Sequence, residues 1–282
     1  MNKQTKKIAP IKLIYRDIYF SSDNISVHGV YFGRYQIKPN SGLIIYARGG
    51  NNHPMHEHSM NFRRDDFYKT WLYYLVKHHN FIVLGCDFRG SKGSTEGVMD
   101  DIAGEDINDI INLYHYAVKE YGTKLNKSQI YLYGESMGVF KSLVATTRVN
   151  YFKGLILCSG VYDLVKMKQF RPYLYGHWQK DYNLTHQDIK DRNDKLNTKH
   201  NISKITKHTD KIIIFHGNED NKASVADMST FTNMLIDCKF YNFDCHILHK
   251  GNHALSGFAY QIYQIICAFL FNGAKESKKI AV

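Results

Sequence analysis

One serine lies between two glycines in the run Gly-Glu-Ser-Met-Gly at residues 134–138. An apolar, β-rich segment, 128–133, precedes this run, and a helix-compatible segment, 137–147, follows it. So sharp a turn from strand to helix needs glycines where a Cβ would strike neighbouring backbone. It also forces Ser136 into a strained conformation that exposes its hydroxyl above the end of the strand. The pattern therefore predicts a nucleophilic serine.

A serine hydroxyl attacks effectively only when a base accepts its proton and an acid orients that base. Asp220 follows an apolar strand in the run His-Gly-Asn-Glu-Asp, and His253 follows the last strand in the run Gly-Asn-His. The chain order Ser136, Asp220, His253 is one that a large group of serine hydrolases uses. We therefore predict that these three residues form a catalytic triad.

Other residues of the same types remain open as alternatives. Glu219 is next to Asp220, and Asp163 follows the strand that contains Cys158, so either carboxylate could serve as the acid. His249 is an alternative base, although it lies within the strand pattern and is the weaker choice.

The oxyanion of an acyl-transfer intermediate needs two N–H donors. Met137 is next to the serine and begins a helix, where free N–H groups and the helix dipole favour negative charge. The second donor should come from the loop after the apolar strand 43–47, where Arg-Gly-Gly-Asn at 48–51 permits close backbone approach. We expect the N–H of Gly50 to be this donor, with Asn51 as second choice.

Strands and helices that could position these residues alternate along the chain. An opening hairpin, 11–20 with 25–35, precedes a series of strand–helix repeats. The later predicted strands are 43–47, 81–87, 128–133, 154–160, 211–217 and 239–248, and the predicted helices are 65–79, 106–121, 137–147, one after residue 225 and a final one. This rhythm predicts an α/β fold with a mostly parallel, eight-stranded sheet flanked by helices.

Residues 164–209 depart from this rhythm, because they contain no clear strand and many polar and aromatic residues. We predict a short helical insertion that forms a wall or a lid over the C-terminal edge of the sheet. Its aromatic residues Tyr175 and Trp178 either line the substrate pocket or pack in the insertion's own core. Arg48, in the expected oxyanion loop, is the third candidate for the substrate pocket.

Composition limits the classes of protein that fit. The chain has 282 residues, of which 44% are hydrophobic, and its formal net charge is +11. Its lysines are scattered, which favours a solvated basic surface over a nucleic-acid partner. No apolar stretch is long enough to span a membrane. We expect a single domain over 1–282, with disordered tails at about 1–10 and 274–282, and leave the oligomeric state open.

Five cysteines, an odd number without a C-x-x-C pair, fit reduced thiols in a cytoplasmic protein. Three histidines, His53, His56 and His58, follow the expected oxyanion loop. Their spacing matches no helical zinc motif, so we interpret them as a polar or substrate-proximal loop. No metal and no cofactor is expected.

These motifs together resemble the catalytic domain of the prolyl oligopeptidase family of serine peptidases, in the α/β-hydrolase superfamily. The resemblance covers about residues 40–270, and its most discriminating part is Asp-Phe-Arg-Gly-Ser-Lys-Gly-Ser at 87–94. It implies the α/β-hydrolase fold and a triad of Ser136, Asp220 and His253. It also implies that Arg89 pairs with a carboxylate such as Asp106 or Asp109.

The chain also departs from this family's pattern. The family's peptidases usually carry a long N-terminal β-propeller, and residues 139–141, Val-Phe-Lys, stand where small residues are usual. Gly-Glu-Ser-Met-Gly also resembles monoacylglycerol-lipase-like esterases. We expect a serine hydrolase that cleaves short peptides or acyl amides through an acyl-enzyme. A carboxylic ester hydrolase is the alternative, and a non-catalytic binding protein of the same fold is a second alternative.

Overall fold

A computed structural model describes residues 12–50, 67, 69–96 and 98–271. The expected tails at 1–10 and 274–282 lie outside these residues, as do Asn51 and the histidines His53, His56 and His58. The strands are β1 (Leu13–Ser22), β2 (Ile25–Arg34), β3 (Ser41–Ala47), β4 (Phe81–Cys86), β5 (Leu125–Glu135), β6 (Gly154–Cys158), β7 (Lys211–Gly217) and β8 (Phe243–Leu248). The helices are α1 (Trp71–His78), α2 (Ile107–Tyr121), α3 (Met137–Arg148), α4 (Met167–Phe170), α5 (Pro172–Asp181), α6 (His186–Asp194), α7 (Lys199–His208), α8 (Val225–Asp237) and α9 (Ala259–Phe271).

All eight strands form one sheet in the order β1-β2-β4-β3-β5-β6-β7-β8. The pairs β1–β2 and β2–β4 are antiparallel, and the other five pairs are parallel. The predicted fold class is confirmed. Because the parallel strands end at the same edge, the loops after β3, β5, β7 and β8 meet there.

The opening hairpin turns more tightly than the sequence indicated. Asp23 and Asn24 both have positive φ, 50° and 66°, and Ser22 pairs directly with Ile25. A two-residue turn with left-handed residues matches the twist of the two strands, and Asp and Asn tolerate that conformation well. The first strand therefore runs to Ser22, two residues beyond its predicted end.

Helices cover both faces of the sheet. Alternate residues of β3 face opposite sides, so that Ile45 packs in the core with α2 and α3 while Ile44 packs in the core with α1 and α9. Both side chains are fully buried. Strands that are covered on both sides read as continuous apolar runs, which is why the inner strands could be predicted from the sequence.

The predicted helical insertion is present between β6 and β7, where α4, α5, α6 and α7 follow one another. Its last helix packs against α3, and the Nδ1 atom of His208 lies 2.8 Å from the carbonyl oxygen of Thr146. The end of the insertion is thus fixed to the helix that follows Ser136.

Candidate active site

The turn between β5 and α3 is as sharp as the motif predicts. Ser136 has φ 54° and ψ −120°, a left-handed backbone conformation for a residue with a side chain. A Cβ at Gly134 would lie 2.7 Å from the carbonyl oxygen of Gly138, and one at Gly138 would lie 2.6 Å from that of Arg48. Real Cβ atoms do not approach oxygens so closely, so both positions require glycine.

Ser136, His253 and Asp220 form one chain of hydrogen bonds. The Nε2 atom of His253 lies 2.9 Å from the Oγ atom of Ser136. The Nδ1 atom of His253 lies 2.8 Å from Oδ2 and 3.0 Å from Oδ1 of Asp220. The loops after β5, β7 and β8 supply the three residues, as their places in the sequence implied.

The carboxylate of Asp220 is held by several donors. Backbone N–H groups of Lys222 and Ala223 donate to its Oδ1 atom at 2.8 and 3.0 Å. Burial opposes its ionisation, but hydrogen bonds from His216, His253 and the Lys222 backbone prevail and hold the pKa of Asp220 well below its usual value. The group is therefore a carboxylate at neutral pH.

His216 is a second histidine on the same carboxylate, and the sequence reasoning gave it no role. It is fully buried at the end of β7, and its Nε2 atom lies 3.2 Å from Oδ2 of Asp220 and 3.1 Å from the carbonyl oxygen of Ala223. Because both neighbours are acceptors, Nε2 carries the proton. The only feature of the sequence that could have indicated a role for His216 was its position in the His-Gly pair at the end of the strand.

The alternative acids and base lie elsewhere. Asp163 accepts backbone N–H groups of Val165 and Lys166 at 2.9 and 3.0 Å, so its carboxylate orders the start of the insertion. Glu219 and His249 are exposed. None of the three is among the described residues that line the pocket around Ser136.

Two backbone segments meet where an oxyanion would form. Met137 is the first residue of α3, and its N–H has no acceptor among the described residues. A Cβ at Gly49 would lie 2.7 Å from the Cβ of Ser136, so this loop passes directly beside the serine. Gly50 lines the same pocket and has φ 76°.

A carboxylate next to the serine is held by two tyrosines. The hydroxyls of Tyr46 and Tyr133 both donate to Oε2 of Glu135, the latter at 3.3 Å. Burial, together with the charge of Glu135, raises the pKa of both tyrosines well above its ordinary value. They therefore remain neutral donors. Nothing in the sequence pattern indicated this arrangement.

A cavity of about 780 Å³ opens beside Ser136. Its floor includes Tyr46, Trp71 and Tyr133, and the insertion contributes residues of α5 and the residue just before it. The contributing residues of the insertion are Arg171, Leu174 and His177.

The structure corrects two of the three residues that we expected in the pocket. Tyr175 and Trp178 are buried in the core cluster, 2% and 0% exposed, and are absent from the described residues that line the cavity. Tyr175 lies beside Trp178 and beside His186 of α6. Arg48 does line the cavity, but its guanidinium donates to Oδ1 and to the backbone oxygen of Asp87 at 2.9 and 2.8 Å.

A sequence model of the prolyl oligopeptidase family matches residues 67–277. The chain belongs to this family. The resemblance inferred from the motifs is thereby confirmed. No curated protein matches the chain in a sequence comparison.

Solved structures of this fold include peptidases and an esterase. An acylaminoacyl peptidase of Pyrococcus horikoshii has a TM-score of 0.67 and 16% identity, over 96% of this chain and 43% of that one. A puromycin-hydrolyzing peptidase of Mycobacterium tuberculosis has a TM-score of 0.71 and 14% identity, over 92% and 39%. An esterase of Pyrococcus furiosus has a TM-score of 0.66 and 17% identity, over 92% and 90%.

At these identities the likeness to the solved structures shows the fold alone. This chain spans less than half the length of the two peptidases and nearly all of the esterase's length. Membership of the prolyl oligopeptidase family supports the expectation of a serine hydrolase. Within the described part of the chain, no helix is both long and apolar enough to cross a membrane.

The loop at residues 87–94, which contains Arg89, is hydrogen-bonded to α2. Arg89 donates to Asp109 through Nη2 at 2.8 Å and through its backbone N–H at 2.8 Å, which decides between the two partners that the resemblance left open. Asp106, the other candidate, instead lies 2.6 Å from the Nζ atom of Lys141.

Lys141 is one of the residues at which the chain departs from the family. It is fully buried, and its ammonium group also lies 2.8 Å from Asp100 and over the ring of Phe88. Among the described residues, Asp100, Asp101 and Asp106 are close enough to share a metal ion. The Lys141 ammonium already pairs with two of these carboxylates, Asp100 and Asp106, so the cluster is a buried ion-pair network of the core.

Proposed function

We propose that this member of the prolyl oligopeptidase family is a serine hydrolase that works through an acyl-enzyme, with Ser136 as nucleophile, His253 as base and Asp220 as acid. The single observation that carries the proposal is the 2.9 Å separation between Nε2 of His253 and Oγ of Ser136. At this distance the imidazole can accept the hydroxyl proton directly.

In the first half of the reaction, His253 deprotonates Ser136, which attacks the carbonyl carbon of an amide or ester. The N–H groups of Met137 and Gly50 stabilise the resulting oxyanion. His253 then protonates the leaving group, and the acyl group stays on Ser136. In the second half, His253 activates a water molecule that releases the acid.

Asp220 accepts the Nδ1–H of His253 and so fixes the tautomer in which Nε2 faces the serine. It also stabilises the imidazolium that forms during each half-reaction. The lowered pKa of Asp220 supports this role, because the carboxyl group stays ionised at neutral pH.

The substrate that we propose first is a short peptide or an acyl amide, because the chain belongs to a family of peptidases. Esters are the second candidate, because the chain matches the Pyrococcus furiosus esterase over nearly its whole length. A cavity of about 780 Å³ suits a small substrate of either kind. We also propose a cytoplasmic location, since all five cysteines are free thiols.

Labelling with a fluorophosphonate probe tests the proposal. The wild type should react, Ser136→Ala should not, and Ser229→Ala, a change at an exposed serine of α8, should react like the wild type. Thermal unfolding of all three shows whether each is folded. A folded wild type that does not react would refute the proposal and favour a non-catalytic binding protein. Turnover of aminoacyl amides against short-chain esters then separates peptidase from esterase.

A further inference from the structure

Positive charge is concentrated around the pocket beside Ser136. Three cationic side chains line it besides Arg48 and the histidines, namely Lys69, Arg171 and Lys222. They come from three different parts of the fold: Lys69 precedes α1, Arg171 precedes α5 and Lys222 follows Asp220. A cleft with apolar walls and charge of one sign concentrates ligands of the opposite sign.

Arg171 is the cation whose placement is most tightly determined. Its backbone N–H donates to the carbonyl oxygen of Met167 at 2.8 Å, and its own carbonyl oxygen accepts from Tyr175 at 3.1 Å. The residue is half-buried, and its guanidinium neither pairs with a carboxylate nor donates a hydrogen bond within the part of the chain that the structure describes. Arg48 and Arg89, by contrast, both bind carboxylates of this chain.

Lys222 is linked to the catalytic acid. Its backbone N–H donates to Asp220, so its position relative to the triad is set by the same loop that holds the acid. Its side chain and that of Lys69 are exposed, and neither has an ion-pair partner among the described residues. Flexible exposed ammonium groups attract an anion over a distance, whereas a planar guanidinium binds it with defined geometry.

Glu135 is the one carboxylate among the described residues that line the pocket. It already accepts hydrogen bonds from Tyr46 and Tyr133. Its charge offsets at most one of the three cations. Among the lining residues that the structure describes, the balance of charge is therefore positive.

We propose that the hydrolase of the preceding section selects substrates that carry a carboxylate close to the scissile bond, and that Arg171 binds this carboxylate. Lys222 and Lys69 draw the anion into the pocket. Suitable substrates are monoesters or monoamides of short dicarboxylic acids, or peptides with an acidic side chain or a free carboxyl end at the cleavage site. This inference rests on the proposed function.

Matched substrates test the inference on either side of the scissile bond. On the acyl side, the 4-nitrophenyl monoester of glutarate is compared with 4-nitrophenyl pentanoate. On the leaving-group side, the pentanoate ester of 3-hydroxybenzoate is compared with that of 3-hydroxybenzamide. In at least one pair, kcat/KM should favour the anionic member by about 10- to 100-fold, the range expected for a charge-assisted hydrogen-bond pair.

Arg171→Met should remove this preference, so that kcat/KM for the anionic and the neutral member of the pair agree within about twofold. Arg171→Lys should keep part of the preference. Lys180→Met is the control, because Lys180 is an exposed cation of α5 that does not line the pocket among the described residues. An unchanged ratio in Arg171→Met would overturn the inference, as would a wild type that favours the 4-nitrophenyl ester of a cationic amino acid.

A second measurement needs no turnover. Glutarate should slow fluorophosphonate labelling of the wild type but not of Arg171→Met, and the neutral analogue glutaramide should slow neither. Labelling that glutarate does not slow would overturn the inference but would still support the proposed serine hydrolase activity. A folded wild type that is not labelled would instead refute the proposed function itself.

Discussion

The α-carbon of Gly138 lies so close to β3 that a methyl group on it would overlap the carbonyl oxygen of Ala47. The helix that follows the serine and the strand that precedes the oxyanion loop are therefore in direct backbone contact. This contact sets the distance between Ser136 and the loop that contains Gly50. The geometry of the proposed nucleophile and of its proposed oxyanion donors thus depends on one position without a side chain.

Gly138→Ala should fail to fold or should fold without fluorophosphonate labelling, because backbone cannot move aside as a flexible side chain can. The control is Gly176→Ala in the middle of α5, where a Cβ would meet nothing within 4 Å. That change should raise the free energy of unfolding by up to about 1 kcal/mol. Thermal unfolding and labelling measure both effects, and a stable, labelled Gly138→Ala would contradict the packing described here.

Lys141→Met should lower the free energy of unfolding by about 3–5 kcal/mol, because it leaves Asp100 and Asp106 buried without their cation. Lys153→Met is the matched control, since Lys153 pairs with Asp210 at 3.8 Å on the exposed surface. It should cost at most about 1 kcal/mol. Urea unfolding gives both values.

A second substitution that removes one of the unpaired carboxylates distinguishes the effect of the lost ion pair on stability from the effect of lost side-chain packing. The double variant Lys141→Met with Asp106→Asn should be more stable than Lys141→Met alone. A double variant that is less stable than both single variants would show that the Lys141 ammonium does not stabilise this core through Asp106.

His216 should act as a positioning residue for the triad. His216→Leu removes one donor from Asp220 and should lower kcat about tenfold with little change in KM, which corresponds to one charge-assisted hydrogen bond. Loss of this donor raises the pKa of Asp220 and makes its carboxylate a stronger acceptor for protonated His253, so activity should fall earlier on the acid side of the pH profile. His216→Gln, which can still donate, should recover part of kcat. Equal effects of both changes, without a shift in the profile, would indicate a purely structural role.

His28 should make stability depend on pH. Burial disfavours its protonation, but the hydrogen bond and charge of Asp87 and the charge of Asp17 prevail and raise the pKa of His28 above 6.5. Protonated His28 therefore adds stability that is fully present below pH 6.5 and is lost as the pH rises through the raised pKa.

The free energy of unfolding should accordingly fall between pH 6 and pH 8.5 in the wild type, and this fall should be smaller in His28→Gln. His200→Gln, at an exposed histidine of α7, should behave like the wild type. Urea unfolding at several pH values provides the comparison. Parallel curves for the wild type and His28→Gln would show that His28 is not responsible.

Several features of the fold followed from the sequence because their causes are local. The inner strands are continuous apolar runs, since both of their faces are covered, and the turn at 134–138 has glycines where backbone contacts backbone. The order of Ser136, Asp220 and His253 along the chain indicated which loops would meet. Their catalytic roles remain predictions that the labelling experiment addresses.

Features that depend on distant packing did not follow from the sequence. Glu135 is bonded by Tyr46, which lies 89 residues earlier in the chain and on another strand. Tyr175 and Trp178 are buried in the core, where Tyr175 lies beside His186 of α6. No spacing within α5 indicates which neighbours this helix has. The choice of Asp109 rather than Asp106 by Arg89 likewise depends on Lys141, which belongs to a different helix.

The insertion meets the pocket through Arg171, Leu174 and His177, whereas its last helix is fixed to α3 by His208. The proposed triad, in contrast, lies on loops of the sheet. One continuous stretch of chain can therefore change what the pocket accepts while the machinery of bond cleavage stays in place. Substitutions in α5 can therefore change substrate specificity among homologous proteins without altering the triad. Grafting this helix from one homologue to another is a route to engineering that specificity.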